Sequence, residues 1–585
     1  MKREDVILAA QAKRALRGEK IIGISLRGAA LQGLSAEGAL FAECDLEGAN
    51  LDGANLRGVR LLACRAVGAS LVGADLTNAE LTSTSLQNVA GRGVKLDGAR
   101  VVRCDLGGAS LQGASLVGTL AADSRAESID LTGADLSQAR VPGMKLAGAE
   151  LSGANLEGAV FGGADLANAT LSKARLVGAA FANASMVGAD LEGADATKAI
   201  FVGADLRGAK LPRELERAVF LGARLTDRDE VTSKEPPWAE DRVGRPAVAL
   251  TFDDAKLTGA VLRGLSLRGA SFRRADLTGA MLGESDLEGA SFDDAKLVRV
   301  ELAGARLRDV DFSGAKIEML FAKDADLAGA RFVGATIELS VFECADLTNV
   351  DFSRAFLRGV DLTGARLSGL KAVGTVFHSV DFEDVDVSRL ELRGRRFPRC
   401  SFKGLDLSGR DWTGSDVTGA DFTDAKLEKA KFGLSTLRQA NFKGANLTLA
   451  ELTECDAKGA FFGEATLDGA KLTKARLRYA TFSKASARAA NFAAADVRDA
   501  LAVELDASRA TFAGAKLAFT DLSKSDLSGA DFTQADLSSA NLHAVRDTGA
   551  IFVATTLAGV KRTDEGRLRA ESWQRPTRPR AERTS

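Results

Sequence analysis

Among 585 residues the chain has only two histidines, six cysteines, eight prolines and three tryptophans, and it contains no run of about 18 apolar residues. The histidines, His378 and His543, lie far apart and each directly follows a large apolar residue, so both read as outward surface side chains. No Cys-x-x-Cys or Cys-His spacing is present, which leaves no metal-ligand set. Serine, aspartate and glutamate are plentiful, but they fall on the polar beats of a repeat, where solvation and turn hydrogen bonding account for them. No glycine-rich loop follows a strand and opens a helix, so the many Gly-x-Gly matches are by-products of the same repeat. The expectation is a non-enzymatic protein with no catalytic residue, cofactor or metal. Absence of a long apolar run excludes a membrane-spanning helix. The opening MKREDVILAAQAKRAL has acids directly after its Lys-Arg pair and no small-residue cleavage site. A cytoplasmic place follows, with non-classical export left open. Net charge is also missing: 77 basic against 79 acidic residues give −2, which favours neither a general nucleic-acid binder nor a strongly acidic mimic.

What the chain does have is a five-residue beat. In FAECDLEGANLDGANLRG (Phe41 to Gly58) a large apolar residue returns at every fifth position, and the same beat runs from Ile21 to Leu211 and from Phe252 to Leu557. A fixed short period is the mark of a solenoid whose units bury their apolar faces against their neighbours. Each pentad reads small, polar, large, polar, turn-former, as in Ala54, Asn55, Leu56, Arg57, Gly58. In extended backbone side chains alternate sides, so Ala54 and Leu56 face inward and Asn55 outward, and the glycine tolerates the positive φ of a corner. Phenylalanines set the number of corners per coil. Phe161, Phe181 and Phe201 recur every twenty residues, as do Phe252 to Phe352 and, in a second column, Phe382 to Phe482. Four pentads therefore make one coil.

GADLEGA and GANLTLA carry the pattern Ala, Asp or Asn, Leu and two variable residues, which resembles the pentapeptide-repeat family. The resemblance implies an all-β fold, a right-handed quadrilateral β-helix; at four pentads per coil, the pentads of the two segments make about 25 coils. Five cysteines (Cys44, Cys64, Cys104, Cys400 and Cys455) hold the small inward slot and Cys344 a turn position, so they read as packing residues. Cys44 and Cys64 stack one coil apart, a distance compatible with a disulfide although their parallel Cβ vectors make bridging awkward.

Where the beat fails, the organisation shows. Residues 1–20 are expected to hold a short capping helix, with Val6, Leu8 or Ala9, Ala12 and Leu16 at helical spacing, over the open edge of the first coil. A first solenoid occupies 21–225, and its register slips by one at Pro212. Residues 226–250, with three prolines and Trp238, read as a linker or insertion; a second solenoid fills 251–560, and 561–585 reads as a basic, disordered tail.

Two surfaces rise above the repeat. The first is a basic ladder, Arg438, Lys458, Arg478 and Arg498, in one outward slot of four successive coils, with carboxylates such as Asp456 and Asp496 in the next column. The second lies between 371 and 412, where Val380, Val385, Arg395 and Leu405 stand where Ala is usual. Around it Arg389, Arg393, Arg395, Arg396, Arg399, Lys403 and Trp412 form a candidate partner surface. An inward Arg395 needs a buried partner, so local rearrangement is expected there.

The functional expectation is a rod-shaped scaffold or adaptor for a protein partner, and a filled rod is expected to offer no groove for an active site. Long proteins similar to this one imply a bacterial setting, with type VI secretion or an effector role among the settings, although the chain shows no secretion motif. The alternative implied by the family is DNA mimicry toward type II topoisomerase, against which the mixed charge of both segments argues. Direct nucleic-acid binding is disfavoured because nearly every phenylalanine is committed to the core.

Overall fold

A computed structural model describes residues 1–226 and 250–573. The chain divides into two compact units, Met1–Ala335 and Thr336–Ser585. In each, residues stack in parallel on residues twenty positions away. The first unit opens with helix α1 (Arg3–Gln11) and then strands β1 (Lys20–Ile22), β2 (Leu40–Ala42), β3 (Arg60–Leu62), β4 (Glu80–Thr82), β5 (Arg100–Val102) and β6 (Leu120–Ala122), each paired with the next. Later in the same unit β7 (Lys296–Val298) pairs with β8 (Lys316–Glu318). In the second unit β9 (Thr336–Glu338), β10 (Phe356–Arg358) and β11 (Val376–His378) stack in the same way, and helix α2 (Glu565–Ser572) lies near the end. The fold is the expected parallel β-solenoid, four pentads to a coil.

The pentad's residue types explain the path. Large and small slots are buried, and the outward slot pairs with its counterpart one coil on, as in Asp45 with Arg65 and Asp75 with Lys95. Aspartate and asparagine are favoured outward because their Oδ1 accepts the N–H two residues later: Thr77 to Asp75 (3.0 Å) and Thr423 to Asp421 (3.0 Å). Most corners close with a bond from the next small residue to the large one, for example Ala29 N–H to Leu26 O at 3.0 Å, and the corner residue has φ near that of Gly28, 61°. Inside, Phe252, Phe272, Phe292, Phe312 and Phe332 stack at centroid spacings of 4.8, 4.7, 5.0 and 4.8 Å. Phe382, Phe402, Phe422 and Phe442 do so at 5.2, 5.2 and 5.0 Å.

Polar residues enter the small slot under one rule. Thr84, Thr119, Ser124, Ser285, Thr375, Ser415, Ser435, Thr520 and Ser525 are buried, and each hydroxyl donates to the carbonyl 23 residues earlier, as Thr119 does to Leu96 O at 2.7 Å. Cys44 and Cys64 follow it with their thiols, toward Ile21 O and Phe41 O, both at 3.3 Å. Both are free thiols, and Cys344 is the exposed cysteine.

Three boundaries differ from the sequence reading. Helix α1 spans Arg3–Gln11 rather than running to Leu16; it buries Val6, Ala9 and Ala10 and leaves Leu8 59% exposed. Leu16 belongs to the first coil, its N–H bonded to Ser35 O at 2.7 Å, because the pentad beat already governs it. At the slip near Pro212 the pairing shortens to nineteen, Asp195 with Glu214 and Ile200 with Val219. Glu214 and Val219 then pair directly with Lys256 and Val261, so coils on either side of 226–250 stack on each other within the first unit. Residues 227–249, with Trp238, lie outside the described residues. Within the expected disordered tail, Glu565–Ser572 is helical: Asp564 caps it by accepting the Arg567 N–H (3.0 Å), and Glu571 bonds Arg567 (2.7 Å) and Lys524 (2.8 Å). Residues 574–585 lie outside the described residues.

His543 is buried rather than outward. The N–H of Asp564 donates to its Nδ1 at 3.2 Å and Glu571 lies 3.7 Å from its Nε2, because the approach to α2 folds over it. His378 is half-buried beside Ser379, whose Oγ is 3.1 Å from Nδ1.

Candidate interaction surfaces

The basic ladder is built as the spacing demands, one cation per coil, and it is largely neutralised. Arg438 binds Asp456 at 2.7 Å, Arg478 binds Asp499 at 2.8 Å and Arg498 binds Asp496 at 2.7 Å. Arg498 beside Asp496 holds that carboxyl below its ordinary range. Lys458 lies 5.6 Å and Arg478 4.8 Å from the ring centre of Tyr479. Exposed aromatic side chains stand beside the ladder: Tyr479 (48%) and Phe519 (64%) at the same corner and Phe461 (39%) in the outward slot of the adjoining face. Tyr479 and Phe519 stand at corners with φ of 64° and 63°, a conformation that bulky residues adopt only at a cost.

The run from 371 to 412 does not form one surface. Because each pentad turns a corner, Arg389, Arg393, Arg396, Arg399 and Lys403 are exposed but point around the coil in different directions. Trp412 is fully buried, stacked on Phe432 (5.8 Å) and edge-on to Phe402 (5.0 Å), so it is core and not surface. Arg395 escapes the interior by bonding Glu391 at 2.6 Å, with 29% of its side chain exposed. Arg393, Arg396 and Lys403 stand 3.8, 3.7 and 3.5 Å from Asp411, Asp416 and Glu383.

The inward arginine of this region is Arg410, which the sequence reading passed over although it occupies a small slot. Its guanidinium donates to the carbonyls of Ser388, Val387 and Leu390 in the preceding coil, and burial lowers its pKa. Val380, Val385 and Leu390 fill small slots of the coil to whose carbonyls Arg410 supplies donors.

A cleft of about 730 Å³ opens at the slip, lined by residues that include Glu192, Lys210, Pro212, Arg213, Phe252 and Asp253. Leu225 and Leu250, which flank residues 227–249, also line it, so the cleft is a feature of the described residues alone. Lys210 at its edge is bound to Asp190 at 2.8 Å, which holds that carboxyl below its ordinary range. Among the described residues no cluster of three or more His, Cys, Asp or Glu side chains could hold a metal ion, and no helix is long and apolar enough to cross a membrane.

The model of pentapeptide repeats (8 copies) matches residues 23–61, 63–98, 92–138, 145–181 and 174–211, then 252–289, 285–318, 323–359, 400–439, 434–469, 465–501 and 508–543. The chain belongs to the pentapeptide repeat family. No curated protein matches it. Solved structures similar to this pentapeptide repeat chain include HetL, involved in heterocyst differentiation regulation in the cyanobacterium Nostoc sp. strain PCC 7120. HetL is 24% identical over 54% of this chain and 90% of that one, with a TM-score of 0.13. QnrB1, a plasmid-mediated fluoroquinolone resistance protein, is 19% identical over 36% of this chain and 86% of that one, TM-score 0.18. A thylakoid-lumen pentapeptide repeat protein of Arabidopsis thaliana is 30% identical over 17% and 69%, TM-score 0.11.

One feature of this pentapeptide repeat chain escaped the sequence reading altogether. The outward residue just before the phenylalanine column, Val160, Ala180 and Ile200, is apolar at the same twenty-residue spacing that revealed the phenylalanines themselves.

Proposed function

We propose that this chain is a non-enzymatic scaffold that presents long, flat, mixed-charge faces to a protein partner. What supports the reading is the way outward charges are spent. Opposite charges in successive coils bind each other along the faces: Arg27 with Glu47 (2.7 Å), Lys256 with Glu214 (2.9 Å), Arg274 with Asp254 (2.8 Å), Arg366 with Asp346 (2.7 Å) and Lys471 with Glu451 (3.1 Å). Exposed pairs of this kind contribute little stability, on the order of 0–1 kcal/mol each. Charges of both signs therefore share these faces, whereas a duplex mimic needs a continuous negative potential. For that reason the scaffold reading is preferred to topoisomerase modulation by DNA mimicry.

The family resemblance suggests a bacterial adaptor role, type VI secretion among the settings. Affinity capture with the full chain from its source lysate, followed by rebinding of the purified captured protein, tests the reading. One dominant protein that rebinds directly supports a scaffold. Topoisomerase subunits, with loss of gyrase supercoiling, would establish the mimic instead.

A further inference from the structure

One face of the first unit differs from the other three. Val160, Ala180, Ile200, Val219, Val261, Met281, Glu301 and Phe321 are bridged one to the next, one per coil. Seven of these eight outward positions are apolar, and their side chains face solvent: Val160 and Ile200 are each 38%, Met281 45% and Phe321 47% exposed. The other three outward columns of the same coils are polar throughout. One reads Asp165, Ser185, Asp205, Arg224, then Ser266, Asp286, Arg306, Asp326, and another Asn155, Arg175, Asp195, Glu214, Lys256, Asp276, Lys296, Lys316. The third carries Thr170, Asp190 and Lys210, then Thr251, Ser271, Ser291, Asp311 and Arg331. In its first four coils the column is flanked at the next corner by Gly162, Ala182, Val202 and Leu221, the last 50% exposed, and in the following four by Arg263, Gly283, Ala303 and Lys323. Glu301, the single charged member, stands 4.0 Å from Arg263, which also binds Glu284 at 2.7 Å.

Inside, the same strands carry Phe161, Phe181, Phe201 and Phe220, so they are apolar on both sides. Parallel strands with that pattern are normally covered on both faces. The ladder is continuous through the slip at Pro212, where a change of register by one residue would otherwise exchange inward and outward sides. Both the shortened pentad and the return at Leu250 preserve it.

We infer that this face is an interface between two copies of the chain, packed sheet against sheet. Eight coils at about 4.8 Å give a length of roughly 34 Å, and three extended residues with their flanking corner side chains a width of about 20 Å. The product, near 700 Å² per copy, approaches the roughly 800 Å² per partner of a stable interface. Both signs of charge rim the face, Lys198 and Arg217 with Glu157 and Glu216 on one side and Arg263 with Glu284 on the other, so two identical surfaces meet without net repulsion.

Sedimentation velocity of the full chain tests this, with Ile200→Lys plus Met281→Lys on the apolar face and Ser185→Lys plus Ser271→Lys on polar faces as a control. At about 10 µM the wild type and control sediment as dimers, while the apolar-face variant is monomeric, its dissociation constant raised by about 100-fold or more, with an unchanged thermal melt. If the lysines disturb folding, Ile200→Gln with Met281→Gln gives the same readout without added charge. A wild-type monomer at about 100 µM overturns the inference, and so does a dimer that survives the apolar-face substitutions in a folded variant.

Discussion

Arg3 completes the coil that would precede the first one, by donating to Ser25 O from Nη1 at 2.8 Å. Its Nη2 donates to Arg27 O at 3.1 Å. In the next coil the corresponding carbonyls, Asp45 and Glu47, accept backbone N–H groups from Leu26 and Gly28 (2.6 and 2.8 Å), so the guanidinium stands in for a missing strand. Arg3→Ala should destabilise the first coil by about 1–2 kcal/mol. Faster amide exchange confined to the coil around Ser25 and Ser35 checks it; uniform exchange along the solenoid contradicts it.

A second prediction concerns Arg410. Removing its side chain leaves the carbonyls of Ser388, Val387 and Leu390 without these donors. Arg410→Ala should cost about 2–3 kcal/mol, and Arg395→Ala, which removes only a surface pair with Glu391, under about 1 kcal/mol. Equal losses in urea melts would contradict the assignment of Arg410 as the inward arginine.

The interior of the first unit is imperfectly filled where Ala121 stands in a large slot between Val101 and Val141. A cavity of about 40 Å³ lies there, lined by residues that include Leu96, Leu116, Leu136 and Phe161. Ala121→Val should raise stability by about 0.5–1 kcal/mol, since two methyl groups enter existing space. A lower melting temperature would mean that the neighbours have no room to accept them.

At the far end, Lys524 and Arg567 hold the Glu571 carboxyl at about 2, below its ordinary 4.5. A depressed folded-state value means that the contact of α2 is present above the ordinary value and lost as pH falls from about 4.5 toward 2. Fluorescence of Trp573, just after α2, should report that transition, and Glu571→Gln should abolish it. A transition that survives the substitution would assign the change to another group.

Much of this was legible in the sequence because a solenoid converts sequence spacing directly into position. The twenty-residue recurrence of phenylalanine gave the coil, and the fixed slot of Arg438, Lys458, Arg478 and Arg498 gave a true spatial column. The cluster from Arg389 to Trp412 failed for the same reason: residues adjacent in sequence point to different sides of the coil, and the large slot that Trp412 occupies is inward. His543 was misplaced because its outward position is covered by the approach to α2, a contact that no repeat announces. The apolar column from Val160 to Phe321 was legible but unread, since each member looks like an ordinary exception until residues twenty apart are compared.

The central claim is that position within the pentad decides whether a side chain belongs to the core or to a surface. Phe422 is fully buried between Phe402 and Phe442, and its neighbour Thr423 faces outward with its N–H bonded to Asp421 at 3.0 Å. Denaturant melts of Phe422→Asp and Thr423→Asp compare the two slots at one coil. The account predicts a loss of several kcal/mol, about 4 or more, for Phe422→Asp and about 1 kcal/mol or less for Thr423→Asp; similar losses for the two would contradict it.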